Sequence, residues 1–199
     1  MNTLDLTREL KSNFPELIDT SHELPGPFTG TGKIKAVILG ADPTHIIDGL
    51  PRKISKVFDL DDEKSPYWKG IKKNLNTIEG LSMDNIHVEN LCRNYFSCET
   101  SKNKSWVEIA RNYWAPFLRD ELDKKYSKDI PVLITTQFIL FAILAEGQQK
   151  MNAETIYKSN KFFKPAENLL NRDVFAFYRH WSYSLKKKDN YARFLSTKF

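Results

Sequence analysis

Cysteine is scarce in this chain: its 199 residues include only Cys92 and Cys98. A structural zinc site or an iron–sulfur cluster needs a full set of Cys or His ligands, and these two cysteines have no second pair to complete one. The sequence therefore predicts no metal ion and no cofactor. Both thiols are expected to be free, as is usual in a reducing compartment.

Long apolar segments are also missing. No run approaches the roughly 20 apolar residues that cross a bilayer, and the first residues, MNTLDLTRELKSNF, are polar and charged where a signal peptide is apolar. These absences predict an intracellular protein with no membrane partner. No internal repeat or linker divides the chain, so residues 1–199 are expected to form one domain and a monomer.

Positive charge is in excess. The chain has 30 Lys and Arg against 25 Asp and Glu, which gives a formal net charge of +5. An excess of this kind favours a polyanionic partner such as DNA. Many basic domains bind no nucleic acid, so the charge agrees with a DNA partner without establishing one.

Hydrophobic periodicity predicts strands that alternate with helices. Strands are expected at residues 34–40, 86–91, 131–135 and 174–178. Helices are expected at residues 3–20, 66–79, 106–126, 138–144 and 190–195. This alternation predicts an α/β fold with three αβα layers around a central, mostly parallel four-stranded sheet. Residues 1–33 would form an N-terminal helix and a Pro/Gly-rich loop that pack on this core.

Polar residues stand where the predicted strands end, and the carboxyl ends of parallel strands meet at one edge of the sheet. We therefore expect one crevice to contain Asp42, His45, Asn90, Thr135, Thr136 and His180. A carboxylate, an amide and an imidazole that converge in this way can orient a heterocycle and polarise a bond to it.

Several segments, in order, resemble motifs of the uracil-DNA glycosylase superfamily. GADPTH over residues 40–45, directly after an apolar strand, resembles the motif GQDPYH of the uracil-N-glycosylase branch. HWSYSL over residues 180–185 is similar to the second motif, HPSPLS. Between them lie VFDL (57–60), SPYWKGI (65–71), Asn90-Leu91 and SKNKSW (101–106), which resemble the family's base-stacking segment, proline-rich loop, uracil-reading Asn and SHKNKGW helix start.

The resemblance implies a DNA repair enzyme that flips uracil out of DNA and hydrolyses its N-glycosidic bond, without a cofactor and without a strand-cleaving step. By position, Asp42 would activate water and stabilise the positive sugar, and His180 would stabilise the leaving base. Gly40, Ala41 and Thr44 would line the base pocket.

The resemblance also assigns recognition roles. Phe58 would stack on the base, and Asn90 would read its O4/N3 edge. The implied contacts to DNA phosphates come from small hydroxyls and basic groups, namely Ser65, Ser182, Ser184, Lys186 and Lys187.

Departures from the family pattern set the limits of this interpretation. Thr44 replaces the Tyr that blocks the 5-methyl group of thymine, which implies a relaxed exclusion of thymine, and Ala41 replaces a Gln. Ser184 stands where the family has a Leu that wedges into DNA, which leaves Leu185, Tyr183 and Trp181 as candidates for the wedge.

Other interpretations stay open. Asp42 before Pro43 is also typical of a turn, Asn90 of a strand end and Phe58 of ordinary core, and His180 can be a satisfied buried histidine. For the whole chain, one alternative is a relative that binds DNA bases without cutting. Another is an unrelated hydrolase that uses Asp42, His45 and His180 with a metal.

Overall fold

The computed structural model describes residues 2–47, 49–60, 62, 65–178 and 180–199. The α-helices in these ranges are α1 (Thr3–Asn13), α2 (Pro66–Leu75), α3 (Trp106–Ile109), α4 (Ala115–Lys125), α5 (Gln137–Ile143), α6 (Ala153–Ser159) and α7 (Asp189–Ser196). The strands are β1 (Ile18–Asp19), β2 (Phe28–Thr29), β3 (Ala36–Gly40), β4 (Ile46–Ile47), β5 (Leu50–Pro51), β6 (Ile86–Asn90), β7 (Tyr95–Phe96), β8 (Val132–Ile134) and β9 (Val174–Ala176).

The central sheet has five strands in the order β2-β6-β3-β8-β9. The four predicted strands are its parallel members β3, β6, β8 and β9, which confirms the α/β class and the mostly parallel sheet. The predicted count of four strands is wrong, because β2 adds an antiparallel edge beside β6. This edge strand is two residues long and follows Pro27, so it is too short to show a period in the sequence.

Helices α5 and α6 pack against strands β8 and β9 of this sheet. Every residue of β3, β6, β8 and β9 is buried, as expected for parallel strands that pack against helices on both sides. The helices form two groups: α3 packs against α5, whereas α2 and α7 both pack against a 3₁₀ turn at Leu185–Lys187.

Three helical segments differ from the sequence prediction. Helix α1 ends at Asn13 instead of residue 20, because Pro15 cannot continue it and Ile18 pairs with Phe96 in a small antiparallel ladder. The predicted helix over residues 106–126 contains a π-helical turn, Ala110–Trp114, just before Pro116, whose missing N–H the wider turn accommodates. Helix α6 was not predicted, since only Ala153, Ile156 and Tyr157 of its seven residues are buried, which gives a weaker apolar pattern than that of α5.

The position of β3 defines where a ligand site belongs. The chain leaves β3 for β6 on one side and later returns to β8 on the other. A parallel sheet opens a crevice at the carboxyl ends of the strands where the order reverses in this way. Gly40 lies opposite Asn90 and Leu39 opposite Ile134, so the chain segments after all three strands reach this crevice.

In the part of the chain that the structure describes, no helix has the length and apolar character needed to cross a membrane.

Arg172 is fully buried and fastens the end of α4 to the turn before β9. Its Nη2 donates to Asp123 Oδ1 at 2.7 Å and to the carbonyl of Tyr126 at 3.0 Å, and its Nη1 donates to the carbonyls of Ser127 and Ile130. Both Nη atoms of this buried guanidinium therefore have acceptors, whereas its Nε has no partner within the described ranges. Removing the side chain takes a donor from each of these acceptors.

We predict that Arg172→Met lowers the free energy of unfolding by about 3 kcal/mol, because it removes a buried donor from the Asp123 carboxylate and from three backbone carbonyls. Urea denaturation measures this loss. The matched control is Arg119→Met, which breaks only a surface ion pair with Asp120 and should cost less than about 1 kcal/mol. Equal losses in the two variants would contradict the structural role of Arg172.

Candidate active site

A cavity of about 420 Å³ opens at the carboxyl ends of β3, β8 and β9. This volume is in the range of small-molecule sites. The cavity brings together nine of the residues singled out from the sequence, namely Ala41, Asp42, Thr44, His45, Phe58, Thr135, Thr136, His180 and Tyr183. The crevice expected from the strand ends is therefore present as a formed pocket.

The carboxylate of Asp42 is held by three donors. Its Oδ1 accepts the backbone N–H of Thr44 at 2.8 Å, which closes a local turn through Pro43. Its Oδ2 accepts the hydroxyl of Thr100 and the indole N–H of Trp106, the latter at 2.8 Å. Asp42 thus has the turn-forming role that its sequence context suggested, and the same residue lines the cavity.

Burial and hydrogen bonding act in opposite directions on Asp42. Burial is the larger effect and raises the pKa of the carboxyl above its usual value, while the bonds from Thr100, Thr44 and Trp106 lower it in part. These donors replace water as the stabilising partners of the ionised form. An enclosed carboxylate of this kind can stabilise a positive charge that develops nearby.

Phe58 and Asn90, the two residues assigned to base recognition from the sequence, approach each other next to Gly40. A side chain at this position would collide with Asn90 Oδ1 and would come within 2.6 Å of Phe58 Cζ. Phe58 and Asn90 are far apart in the sequence, and the missing Cβ of Gly40 allows both to approach the same point. Gly40 and Asn90 do not line the open cavity, but both lie next to Phe58, which does.

Phe58 has a strained backbone. Phe58 and Asp59 have φ values of 57° and 58°, in the left-handed region that non-glycine residues rarely adopt. The hydroxyl of Ser65 donates to the carbonyl of Phe58 at 3.3 Å and accepts the N–H of Trp68 at the start of α2. Strain of this kind persists where neighbouring groups hold it, and it is concentrated at functional sites.

The side-chain amide of Asn90 is buried, and its Nδ2 has no hydrogen-bond partner within the described ranges. A buried donor without an acceptor costs free energy in the empty protein. A ligand oxygen that reached this amide would supply the missing acceptor. The unpaired amide group of Asn90 is therefore available for a further hydrogen bond.

His180 lies at the rim of the cavity and is exposed. The backbone N–H of Ser182 donates to its Nδ1 at 3.4 Å. A neutral imidazole whose Nδ1 accepts carries its proton on Nε2, so this nitrogen can donate to a ligand. His180 is thus exposed and not buried, unlike the histidine of the alternative interpretation.

Thr44 and His45 stand beside Asp42 in the cavity wall. The hydroxyl of Thr44 accepts the backbone N–H of Phe96 at 2.8 Å, so it is engaged within the protein. His45 contacts the hydroxyl of Tyr67 through Nδ1 at 3.4 Å, and the two rings meet edge to face.

The residues assigned to DNA phosphates differ in how far their side chains are exposed. Ser65 and Ser184 are buried, Ser182 is partly exposed, and Lys186 and Lys187 are exposed on the 3₁₀ turn that follows His180. Among the wedge candidates, Leu185 is fully buried and Tyr183 packs beside His180. The side chain of Trp181 lies outside the described part of the structure.

Sequence reasoning missed several residues of this site. Thr100 and Trp106 bind Asp42, but Trp106 had been interpreted only as part of an apolar stripe. Tyr178 had been counted as the end of a strand, yet it lines the cavity. The signals for these residues lie in tertiary contacts, since Thr100 is 58 positions from Asp42.

No protein-family model matches this chain, and no curated protein matches it.

We predict that Gly40→Ala lowers the free energy of unfolding by about 2 kcal/mol, because the new methyl group forces Phe58 and Asn90 apart in a packed site. Denaturant titration measures the change. Gly26→Ala is the matched control, since its Cβ would stay 3.9 Å from the nearest atoms. If Gly40→Ala is as stable as the control, Phe58 and Asn90 do not converge as described.

Proposed function

We propose that this chain is a monofunctional DNA glycosylase that hydrolyses the N-glycosidic bond of uracil in single- or double-stranded DNA, without a cofactor. The observation that carries the proposal is the unpartnered amide of Asn90 next to Phe58, which lines a cavity together with Asp42 and His180. The motif resemblance from residue 40 to residue 185 assigns the same residues to uracil recognition and cleavage.

Recognition would take place around Gly40. A base inside a duplex cannot reach this cavity, so the nucleotide must rotate out of the stack. Phe58 would then stack on the uracil ring, and Asn90 Nδ2 would donate to O4. The strained backbone of Phe58 and the unpartnered donor of Asn90 support this assignment, because both features are unfavourable in free energy and are already present in the empty protein.

Cleavage would depend on two groups with opposite tasks. As the bond between C1′ and the base nitrogen breaks, positive charge builds on the sugar and negative charge on the base. The Asp42 carboxylate would stabilise the sugar, orient the water whose oxygen bonds to C1′ and accept the proton that this water loses. His180 Nε2–H would donate to O2 of the leaving base. Groups that interact with a charge only as it develops during the reaction stabilise the transition state more than the ground state.

DNA binding would draw on the exposed face next to His180. Lys186 and Lys187 are exposed there, and the chain has a net charge of +5. Contacts between such side chains and phosphates position the duplex and make binding salt dependent. Ser182 is the remaining partly exposed hydroxyl in this segment, whereas Ser65 and Ser184 would have to become accessible on binding.

A second candidate function is base binding without cleavage. It is favoured by the three hydrogen bonds that Asp42 already accepts, since a carboxylate with this many partners also has a purely structural role. Such a protein would bind uracil-containing DNA and release no base.

We predict that the wild-type chain excises uracil from a labelled oligonucleotide and that Asp42→Asn and His180→Ala each reduce the rate at least about a hundredfold. Alkali after incubation converts the abasic product into a strand break that a gel resolves. Asp120→Asn, on the exposed surface of α4, is the matched carboxylate control and should leave the rate unchanged.

Retained DNA binding with no abasic product would contradict the enzyme proposal and support the base-binding alternative. Equal activity in the wild type and both variants would show that a different site or a contaminant cuts the DNA.

We predict that the rate of excision falls at low pH as Asp42 is protonated, with a midpoint above the ordinary value for aspartate because burial raises its pKa. Thr100→Val and Trp106→Phe each remove a donor that favours the ionised form, so each should raise the pKa of Asp42. The low-pH limb of the pH–rate profile, where the rate falls, should then move to higher pH. A pH–rate profile under single-turnover conditions measures the shift.

Trp114→Phe is the matched control for this experiment, because the Trp114 indole donates to Asn94 and not to Asp42. Its low-pH limb should match that of the wild type. Identical limbs in all four proteins would contradict the role of Asp42 as the titrating group.

A further inference from the structure

Two hydroxyl groups in the cavity wall lack partners. Tyr178 is 3% exposed, and neither its phenol oxygen nor the hydroxyl of Thr136 has a hydrogen-bond partner within the described ranges. Both residues line the cavity that contains Asp42 and His180. Neither is assigned a role by the motif resemblance.

Both residues follow paired strand ends. Ile134 lies opposite Ala176 in the parallel pair of β8 and β9, and the N–H of Phe177 continues the pairing by donating to the carbonyl of Ile134. Thr136 and Tyr178 each follow two residues later, beyond the ends of β8 and β9, and both line the cavity. In the strand order they lie on the opposite side of β3 from Asn90.

The chemistry of these two hydroxyl groups limits the kind of ligand group that they can bind. Burial raises the pKa of the Tyr178 phenol, so the group stays protonated and can donate a hydrogen bond. None of the described residues that line the cavity is a lysine or an arginine. Two neutral hydroxyls without a nearby cation suit an uncharged oxygen better than a phosphate.

We propose that Thr136 and Tyr178 form a second hydrogen-bonding wall, across β3 from Asn90, that binds an uncharged oxygen of the nucleotide. The identity of the ligand rests on the proposed function. The oxygen belongs either to a base carbonyl or to the deoxyribose, and these two sources share the same chemistry at the wall.

The test uses Tyr178→Phe, Thr136→Val and the double variant, each of which removes a hydroxyl with little change in shape. Tyr113→Phe, which removes a phenol oxygen outside this cavity, is the matched control. Binding of uracil and of deoxyuridine is measured by NMR titration, the midpoint of thermal unfolding is recorded for each protein, and excision from the uracil oligonucleotide is followed in parallel.

We expect each single variant to weaken binding about five- to tenfold, as for the loss of one hydrogen bond to a ligand. The thermal midpoint should be unchanged or higher, because the empty protein loses no hydrogen bond and buries one polar group fewer. If the oxygen is a base carbonyl, both ligands are weakened equally. If it belongs to the sugar, only deoxyuridine binding is weakened.

The inference is overturned if the double variant binds both ligands as the wild type does, or if binding and thermal midpoint fall together, which marks a structural role. Normal excision by the double variant, with normal binding, would defeat this inference alone. A wild-type chain that neither binds uracil nor excises it would defeat the proposed function, and this inference with it.

Discussion

The carboxylate of Asp42 is the interaction on which the site depends. It joins the turn after β3, through the N–H of Thr44, to a distant segment that supplies the Thr100 hydroxyl and the Trp106 indole. These donors fix one wall of the cavity and stabilise the buried charge in place of water. The same contacts therefore determine both the shape of the pocket and its electrostatic character, so a change in one alters the other.

A second constraint is the absence of a side chain at Gly40. It allows Phe58 and Asn90 to approach each other, and the left-handed backbone of Phe58 costs on the order of 1–3 kcal/mol. The buried groups without partners include Asn90, Thr136 and Tyr178, which surround this one site. Backbone strain and unpaired polar atoms both raise the free energy of the empty protein, and a ligand that supplies the missing hydrogen bonds lowers it.

Much of the fold was predictable because the parallel strands are buried on both faces and read as apolar runs with polar residues at their ends. Strand β2 was not predictable, because two residues are too few to show a period, and helix α6 was not, because only three of its seven residues are buried. Of the site, Asp42 and His180 were found from strand-end position and motif. The partners of Asp42 and the backbone conformation of Phe58 could not be found in this way, because long-range contacts and a strained conformation leave no local pattern in the sequence.

The most direct test of the account is the NMR signal of the Asn90 side-chain amide during titration with a single-stranded oligonucleotide that carries one uracil. The account predicts a large shift of this signal and slower exchange of its protons, as Nδ2 gains the acceptor that it lacks. An otherwise identical oligonucleotide with cytosine should leave the signal unchanged, because cytosine presents a donor where uracil presents O4. If the uracil oligonucleotide binds and the Asn90 signal does not move, the cavity does not hold the base and the account is wrong.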